Sequence, residues 1–330
     1  MGYVGFVDEC SSDVIRGWAM CTESASEPVS VDIYASEALL ATITANEFRE
    51  DLLCAGIGTG WYGFNYRVPR SLKNGSNCIV SVRISGLPIE LNNSPLVFDV
   101  GAHRMLKRKA LSLAYIQGSG IEIGALHNPL WVPEHAEVRY VDRMRVDDLR
   151  LHYPELKNLA LVSVDIVDDG EVLSTIEDGS LDFIICNHML EHSENPLGTL
   201  RNHLRKLKPE GVIYCAIPDK RFTFDRSREL TSFEHLVEDD RNGPDRSRTQ
   251  HYLEWASFVS GQEGDAATLL AGSLEEMGYS IHYHVWDSSS FMRFLSLARD
   301  YLDQSFEIEH LERNGEELIA ILSRSITRGC

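Results

Sequence analysis

Residues 120–130, GIEIGALHNPL, join an apolar strand to a loop that is short of glycine. The strand runs up to Gly124, where the missing side chain lets a ligand approach the main chain closely. Nucleotide-binding loops usually carry further glycines, but Leu126 and Asn128 stand at those places. Asn128 tolerates a positive φ more readily than Leu126 does. We therefore expect a rebuilt loop, with Leu126 and His127 lining a ligand site.

The segment after this loop leaves little room for a helix. Pro133 stops any helix that begins at Asn128-Pro129. Only about 12 residues separate the two predicted strands, which is near the minimum for a crossover connection. The sequence therefore predicts a turn or a short helix here.

From residue 99 to residue 330, apolar runs alternate with helical patterns. This alternation predicts an α/β fold with a mostly parallel sheet that is buried on both faces. Asn195-Pro196 predicts the start of one of the helices, as an N-cap followed by proline at the first helical position. The predicted strands are IEIGAL (121–126), VRYVDR (138–143), LVSVDI (161–166), LDFIICNHM (181–189) and GVIYCAIPD (211–219).

The C-terminal strands differ from these. The runs SFEIEHLE (305–312) and EELIAIL (316–322) flank Asn314-Gly315. Because Asn-Gly between two strand-like runs is a strong hairpin signal, we expect an antiparallel hairpin at the edge of the sheet.

Residues 1–98 have an all-β pattern. Short apolar runs recur between turn residues, and VSVDIYA (29–35) and CIVSVRI (78–84) alternate with a period of two. We expect a sandwich-like domain that ends near residue 98, followed by a second domain at 99–330.

The composition excludes some classes of function. The net charge is −19, which disfavours a polyanionic partner such as nucleic acid. The N-terminus has no signal-peptide pattern, and no apolar run is long enough for a membrane span. Seven cysteines without CxxC spacing favour a reducing, cytoplasmic setting.

Three stretches resemble the class I S-adenosylmethionine-dependent methyltransferases. They are IEIG with the acidic end of the next strand at Asp142, DGSLDFIICNHMLEHSENP (178–196), and LRNHLRKLKPEGVIYCAIPD (200–219). The third departs from the family pattern at Glu210, where a glycine is usual. The resemblance covers about residues 103–323. It implies a Rossmann-like sheet whose strand ends bind S-adenosylmethionine.

The resemblance also implies a cofactor-binding set. Asp142 would accept hydrogen bonds from the ribose hydroxyls, and Glu122 would face the cationic amino-acid end. Asp165 would meet the adenine amino group, although Asp168 or Asp169 is an alternative. The complete predicted set is Glu122, Gly124, Leu126, His127, Asp142, Asp165, Ile166 and Asn187. The alternatives are a structural bond from Glu122 to backbone amides, a solvated Asp142, and a loop that has lost its cofactor.

His188, Glu191 and His192 share one face if their segment turns helical. His188 or His192 is a candidate general base, because imidazole titrates near neutral pH. Alternatively the three residues bind a divalent metal, since ubiquinone-biosynthesis O-methyltransferases carry a similar E-M-L-E-H. With histidine in place of the first glutamate, Mn, Fe, Ni or Zn is favoured over Mg. The third interpretation is that Glu191 and His192 only hold the end of the strand and line the cofactor site.

The long insert at residues 219–262 is predicted to cover the acceptor side of the site. Three arginines in it are candidates to bind an acidic acceptor, and two aromatic residues are candidates to stack on a ring; both sets also have ordinary surface or core interpretations. The arginines are Arg221, Arg226 and Arg248, and the aromatic residues are Tyr252 and Trp255.

A second group of histidines lies downstream of His188 and His192. It comprises His235, His251, His282 and His284.

Phrases such as HNPL and DKRFTFDR resemble a bacterial, glycan-associated subgroup of these enzymes, and GWAM…VDIY resembles a β-domain fused to glycan-assembly enzymes. The expected function is O-methylation of a sugar in a surface polysaccharide or its precursor. The β-domain would bind glycan or a glycan-assembly protein. The alternatives are a catalytically silent cofactor- or glycan-binding scaffold and N-methylation of an amino sugar.

Overall fold

The strands of this protein form two kinds of sheet, one antiparallel and one mostly parallel. They are seen in a computed structural model that describes residues 2–11, 13–73 and 77–325. The chain divides into two units, residues 1–106 and 107–330. The division lies inside a helix, Val100–Tyr115, just beyond the predicted boundary at residue 98.

The N-terminal unit is a β-sandwich. Its two antiparallel sheets have the strand orders β1-β2-β6-β5 and β4-β3-β7-β8. Val7 and Ile15 from one sheet and Val31 and Val80 from the other belong to one buried core, so the sheets pack face to face. The elements are β1 (Tyr3–Cys10), β2 (Val14–Cys21), β3 (Val29–Ala35), β4 (Ala38–Ala45), β5 (Glu47–Phe48), α1 (Glu50–Cys54), β6 (Trp61–Arg67), α2 (Arg70–Lys73), β7 (Cys78–Ile84) and β8 (Leu96–Phe98).

The second unit is built on a seven-stranded sheet. Its helices are α3 (Val100–Tyr115), α4 (Val146–His152), α5 (Pro196–Lys206), α6 (Phe233–Asn242), α7 (Asp245–Glu254), α8 (Gly264–Glu276) and α9 (Ser288–Tyr301). Its strands are β9 (Gly118–Ile123), β10 (Ala136–Asp142), β11 (Ile166–Val167), β12 (Leu181–Asn187), β13 (Leu207–Pro218), β14 (Phe306–Asn314) and β15 (Glu317–Arg324).

The strand order of this sheet is β11-β10-β9-β12-β13-β15-β14. The first five strands are parallel, and β15 and β14 are antiparallel. The side chains of successive residues of β12 belong to two different hydrophobic cores, one on each face of the sheet. Ile184 packs on one face and Phe183 on the other. The predicted fold class, an α/β sheet with an antiparallel C-terminal hairpin preceded by an all-β sandwich, is confirmed.

Local sequence signals set several element boundaries. The Asn195 side chain accepts a hydrogen bond from the amide of Gly198 (2.8 Å) at the start of α5, as an N-cap should. No helix joins β9 to β10, in agreement with the prediction of a turn or a short helix there. The hairpin loop is Gly315–Glu316 and Asn314 still pairs with Glu317, so the turn lies one residue later than predicted.

The third predicted strand is mostly absent. Of LVSVDI, only Ile166 joins the ladder, together with the next residue, Val167. The carboxylate of Asp165 accepts a hydrogen bond from the Tyr140 amide (2.8 Å). A side chain therefore takes a main-chain donor of β10 that a longer strand would have used.

Between β13 and α9 the chain forms a helical segment, residues 219–287, that contains α6, α7 and α8. It extends beyond residue 262, where the predicted insert ended. Among the described residues, no helix is both long and apolar enough to cross a membrane.

Candidate active site

A cavity of about 820 Å³ lies at the carboxyl ends of the parallel strands. Gly124 follows β9, Asp142 ends β10, Asp169 follows β11 and His188 follows β12, and all four line it. The helical segment closes the opposite side with Phe224, Trp255 and His282. Ligands of open α/β sheets bind at this edge, and the volume suits a cofactor together with part of an acceptor.

Asp142 occupies the predicted place at the end of β10. One of its carboxylate oxygens accepts a hydrogen bond from the Arg143 amide (2.8 Å). Burial raises the pKa of Asp142, whereas hydrogen bonds from backbone amides oppose that rise. Leu149 and Leu156 add an apolar wall to the same cavity. A carboxylate beside an apolar wall suits a nucleoside, which has a diol at one end and a flat base at the other.

The glycine-poor loop after β9 has one position, Gly124, at which a ligand can approach the main chain. Gly124 has φ +63°, and no atom lies within 4 Å of where its Cβ would be. The second positive φ, +50°, belongs to Leu126 and not to Asn128, so the expectation for Asn128 is wrong. The reason is the turn itself: the Asn128 amide donates to the Ala125 carbonyl (2.9 Å), and the Leu126 carbonyl accepts from the Val162 amide (2.8 Å). Leu126 lines the cavity.

Five predicted cofactor residues, including Glu122, do not line the cavity. His127 is exposed, and Ile166 packs against the core of the sheet. Asp165 is held by the Tyr140 amide, whereas its two predicted alternatives, Asp168 and Asp169, both line the cavity. The Asn187 amide is buried and has no hydrogen-bond partner among the described residues.

Glu122 points away from the cavity. Both carboxylate oxygens accept a hydrogen bond from the Leu130 amide, at 2.9 and 3.1 Å. The alternative of a structural bond to backbone amides therefore describes Glu122, which does not line the cavity. Burial raises its pKa to about 7.

We expect Glu122→Gln to stabilise the fold at about pH 8 by up to about 3 kcal/mol, and to leave it unchanged near pH 4. The folded-state pKa of about 7 lies above the ordinary 4.5, so stability is lost as pH rises through this interval. Glutamine keeps an acceptor for Leu130 without the charge. Urea unfolding at both pH values measures this, with the exposed Glu137→Gln as the control. An equal effect at both pH values would contradict the account.

His188, Glu191 and His192 do not form the expected helical face. Leu190–His192 is a single turn of 3-10 helix, and His188 has φ +51°. The His188 ring donates to the Glu317 carboxylate (3.0 Å) and lies 3.5 Å from Glu191. Burial alone would lower the pKa of His188, but the two carboxylates raise it to about 9. His188 is therefore a cation at neutral pH, which does not suit a general base.

The pKa of His192 is shifted in the opposite direction to that of His188. Its Nδ1–H donates to the Ile281 carbonyl (2.8 Å), which leaves Nε2 with the lone pair. Burial lowers the pKa of His192 to about 4, so the ring is neutral.

His282 lies beside His192, with ring centroids 4.7 Å apart. Its Nδ1–H donates to the buried carboxylate of Asp225 (2.6 Å), which is paired in turn with Arg228. This carboxylate–imidazole pair orients the ring and leaves Nε2 as a proton acceptor. The sequence pointed to His282 but not to Asp225, because 57 residues separate the two and only the tertiary structure brings them together.

The three donors of Glu191, His192 and His282 lie within 4.8 Å of one another. The Glu191 carboxylate is buried and has no hydrogen-bond partner among the described residues. The predicted group of His188, Glu191 and His192 differs from this one, because the His188 ring is bound to Glu317 and His282 lies in its place. Two imidazoles and a carboxylate are a ligand set for a divalent transition metal.

The residues predicted to contact the acceptor divide into two groups. Arg221 pairs with Asp219, and Arg248 pairs with Glu194, so both charges are already neutralised. Tyr252 is buried in the core. Trp255 lines the cavity and packs edge-on against Phe224, with ring centroids 5.2 Å apart.

Residues 114–263 match a family model described as a methyltransferase domain. No curated protein matches the sequence.

Similar solved structures include a SAM-dependent methyltransferase from Aquifex aeolicus. It is 11% identical, with a TM-score of 0.37 over 67% of this chain and 89% of that one. The CurJ carbon methyltransferase is 13% identical, with a TM-score of 0.37 over 68% of this chain and 54% of that one. The DszA carbon methyltransferase is 13% identical, with a TM-score of 0.35 over 69% and 55% of the two chains.

The strand order and the cavity at the strand ends agree with the methyltransferase-domain model that residues 114–263 match, a range that covers less than half of the chain. The match supports the resemblance to S-adenosylmethionine-dependent methyltransferases that the sequence shows.

Proposed function

We propose that this protein is an O-methyltransferase that acts on a sugar hydroxyl of a bacterial surface polysaccharide or of its precursor. The observation that carries the proposal is the Asp225–His282 pair at the cavity wall. A hydroxyl must lose its proton as it is methylated, and an imidazole oriented by a carboxylate is placed to accept that proton.

The cavity residues fit S-adenosylmethionine. Asp142 would accept from the ribose hydroxyls and Asp169 from the adenine amino group, while Gly124 admits the ligand to the main chain. When bound, the cofactor supplies a methyl group on a good leaving group. The protein then has to position the acceptor and remove its proton.

The acceptor side favours a neutral ring. Phe224 and Trp255 offer aromatic faces next to His282, with ring centroids 4.8 and 5.7 Å from the imidazole. Aromatic rings pack well against the apolar face of a sugar. Arg221 and Arg248, two of the arginines predicted to bind an acidic acceptor, are paired with carboxylates instead.

A metal-assisted version of the same reaction is the second candidate. It rests on the grouping of Glu191, His192 and His282. A divalent ion held there would lower the pKa of the acceptor hydroxyl and replace the general base. Loss of transfer in a chelator, with recovery on adding Mn²⁺ or Zn²⁺, would select this mechanism.

The remaining alternatives need different acceptors or none. An N-methyltransferase would act on the neutral amine of an amino sugar and would need no strong base. A silent scaffold would bind cofactor without transfer.

The test is methyl transfer from labelled S-adenosylmethionine to nucleotide-sugar and glycan fractions. We expect a labelled sugar whose methyl group resists mild base, as an ether does, and mass spectrometry locates it on oxygen or on nitrogen. Cofactor binding without transfer to any fraction would instead favour the scaffold.

We infer a docking role for the N-terminal unit. Phe48 and Trp61 are 47% and 57% exposed, and their ring centroids lie 5.3 Å apart. An exposed aromatic pair suits a sugar ring. Failure of the whole protein to bind any glycan on an array would count against this role.

A further inference from the structure

A second cluster of potential metal ligands lies in the helical segment, apart from the candidate active site. It consists of His235 and Asp239 on α6, His251 on α7, and His284 between α8 and α9. The four donor atoms lie within 4.8 Å of one another. Asp239, His251 and His284 are buried, and His235 is half-buried. Nothing in the proposed reaction uses this cluster.

The donor atoms face one another at metal-ligand spacing. The Nε2 atoms of His235 and His251 are 3.0 Å apart, and Nε2 of His235 is 3.2 Å from Oδ2 of Asp239. Tetrahedral zinc with bonds of about 2.0–2.1 Å separates its ligands by about 3.3 Å. The two measured separations are close to this value, and all four donor atoms lie within 4.8 Å of one another.

Two of the ligands are oriented by further hydrogen bonds. The Ser247 hydroxyl donates to Oδ1 of Asp239 (2.7 Å), so Oδ2 is the oxygen left facing His235. Nε2–H of His284 is directed to the Glu194 carbonyl (3.4 Å), so its Nδ1 carries the lone pair. Metal-binding histidines and carboxylates are commonly oriented in this way by a carbonyl or a hydroxyl.

Two buried atoms of this cluster lack a hydrogen-bond partner among the described residues. Oδ2 of Asp239 and Nδ1 of His284 make no hydrogen bond to any described residue. Buried polar atoms without a partner are costly, and a bound cation would satisfy both.

We infer that His235, Asp239, His251 and His284 bind a zinc ion as a structural site. Three imidazoles and a carboxylate favour zinc over magnesium, and four protein ligands close the coordination shell. The ion would join α6, α7 and the segment that carries His284. His282 lies two residues before His284, so the zinc would help to fix the ring that faces the cavity.

The test is the metal content of the full-length protein purified from zinc-supplemented medium. We expect about one zinc per chain in the wild type, and at least about 100-fold weaker binding in His251→Ala and Asp239→Asn. The exposed His135→Ala and the active-site variant His282→Gln should both keep their zinc. Metal content is read without a methyl-transfer assay, so the result does not depend on the proposed reaction.

A second measurement serves if the variants fail to fold. Chelation of the wild type should lower its melting temperature, and zinc but not magnesium should restore it. Cobalt in place of zinc should give the strong visible absorption of a tetrahedral site. A wild type that neither carries zinc nor binds it on titration would overturn the inference, as would zinc retained by His251→Ala but lost in His282→Gln.

Discussion

Replacing His282 by glutamine is expected to lower kcat by about 100- to 10,000-fold, the range over which a general base contributes to catalysis. Glutamine fills similar space but cannot accept the proton of a hydroxyl. Binding of S-adenosylhomocysteine should persist, because the strand ends that would hold it are unchanged. The measurements are steady-state methyl transfer and calorimetry on the same preparation.

Two companion variants make this prediction specific. Asp225→Asn should also lower kcat, since the amide can hold the imidazole in the wrong tautomer. The exposed His135→Gln should behave as wild type. Unchanged kcat in His282→Gln would remove the general base from the proposal. Chelator-sensitive transfer that is abolished equally in His192→Gln would favour the metal-assisted version.

Replacing Asp142 by asparagine is expected to weaken S-adenosylhomocysteine binding by about 100-fold. Two hydrogen bonds from ribose hydroxyls to a carboxylate are worth about 3 kcal/mol together, and every 1.4 kcal/mol is about tenfold in Kd. Asparagine offers one acceptor oxygen without the charge. Calorimetry on the wild type and the variant measures the change, with and without chelator.

Asp147→Asn is the matched control, because it removes an exposed carboxylate from α4 only five residues later. It should bind as the wild type does. Binding that survives Asp142→Asn would mean that the end of β10 does not hold the ribose. No binding by any form would leave a methyltransferase fold without its cofactor and favour the scaffold alternative.

The sequence by itself determined the fold and three of the residues that line the cavity, Gly124, Leu126 and Asp142. Apolar strands separated by helical patterns can bury both faces only in a parallel sheet, and the terminal hairpin follows from local turn chemistry. Asp142 was predictable because the last residue of a parallel strand lies at the ligand edge whatever packs around it.

Side-chain orientation within the site was decided by tertiary contacts. Leu130 donates its amide to Glu122, and Tyr140 does the same for Asp165, so neither acid reaches the cavity. His188 is turned toward Glu317, 129 residues away in the sequence. A local pattern cannot predict which distant donor will satisfy a buried carboxylate, because that depends on the packing of elements far apart in the chain.

The two histidine centres also depend on the tertiary structure. His282 is hydrogen-bonded to Asp225, which lies 57 residues earlier in the sequence. The proposed zinc ligands come from α6, α7 and the segment before α9. The sequence supplied the residue types and their approximate region. Only the packing of the helical segment against the sheet decided which imidazoles meet a carboxylate, because helices 10 to 13 residues long can bring many different pairs together.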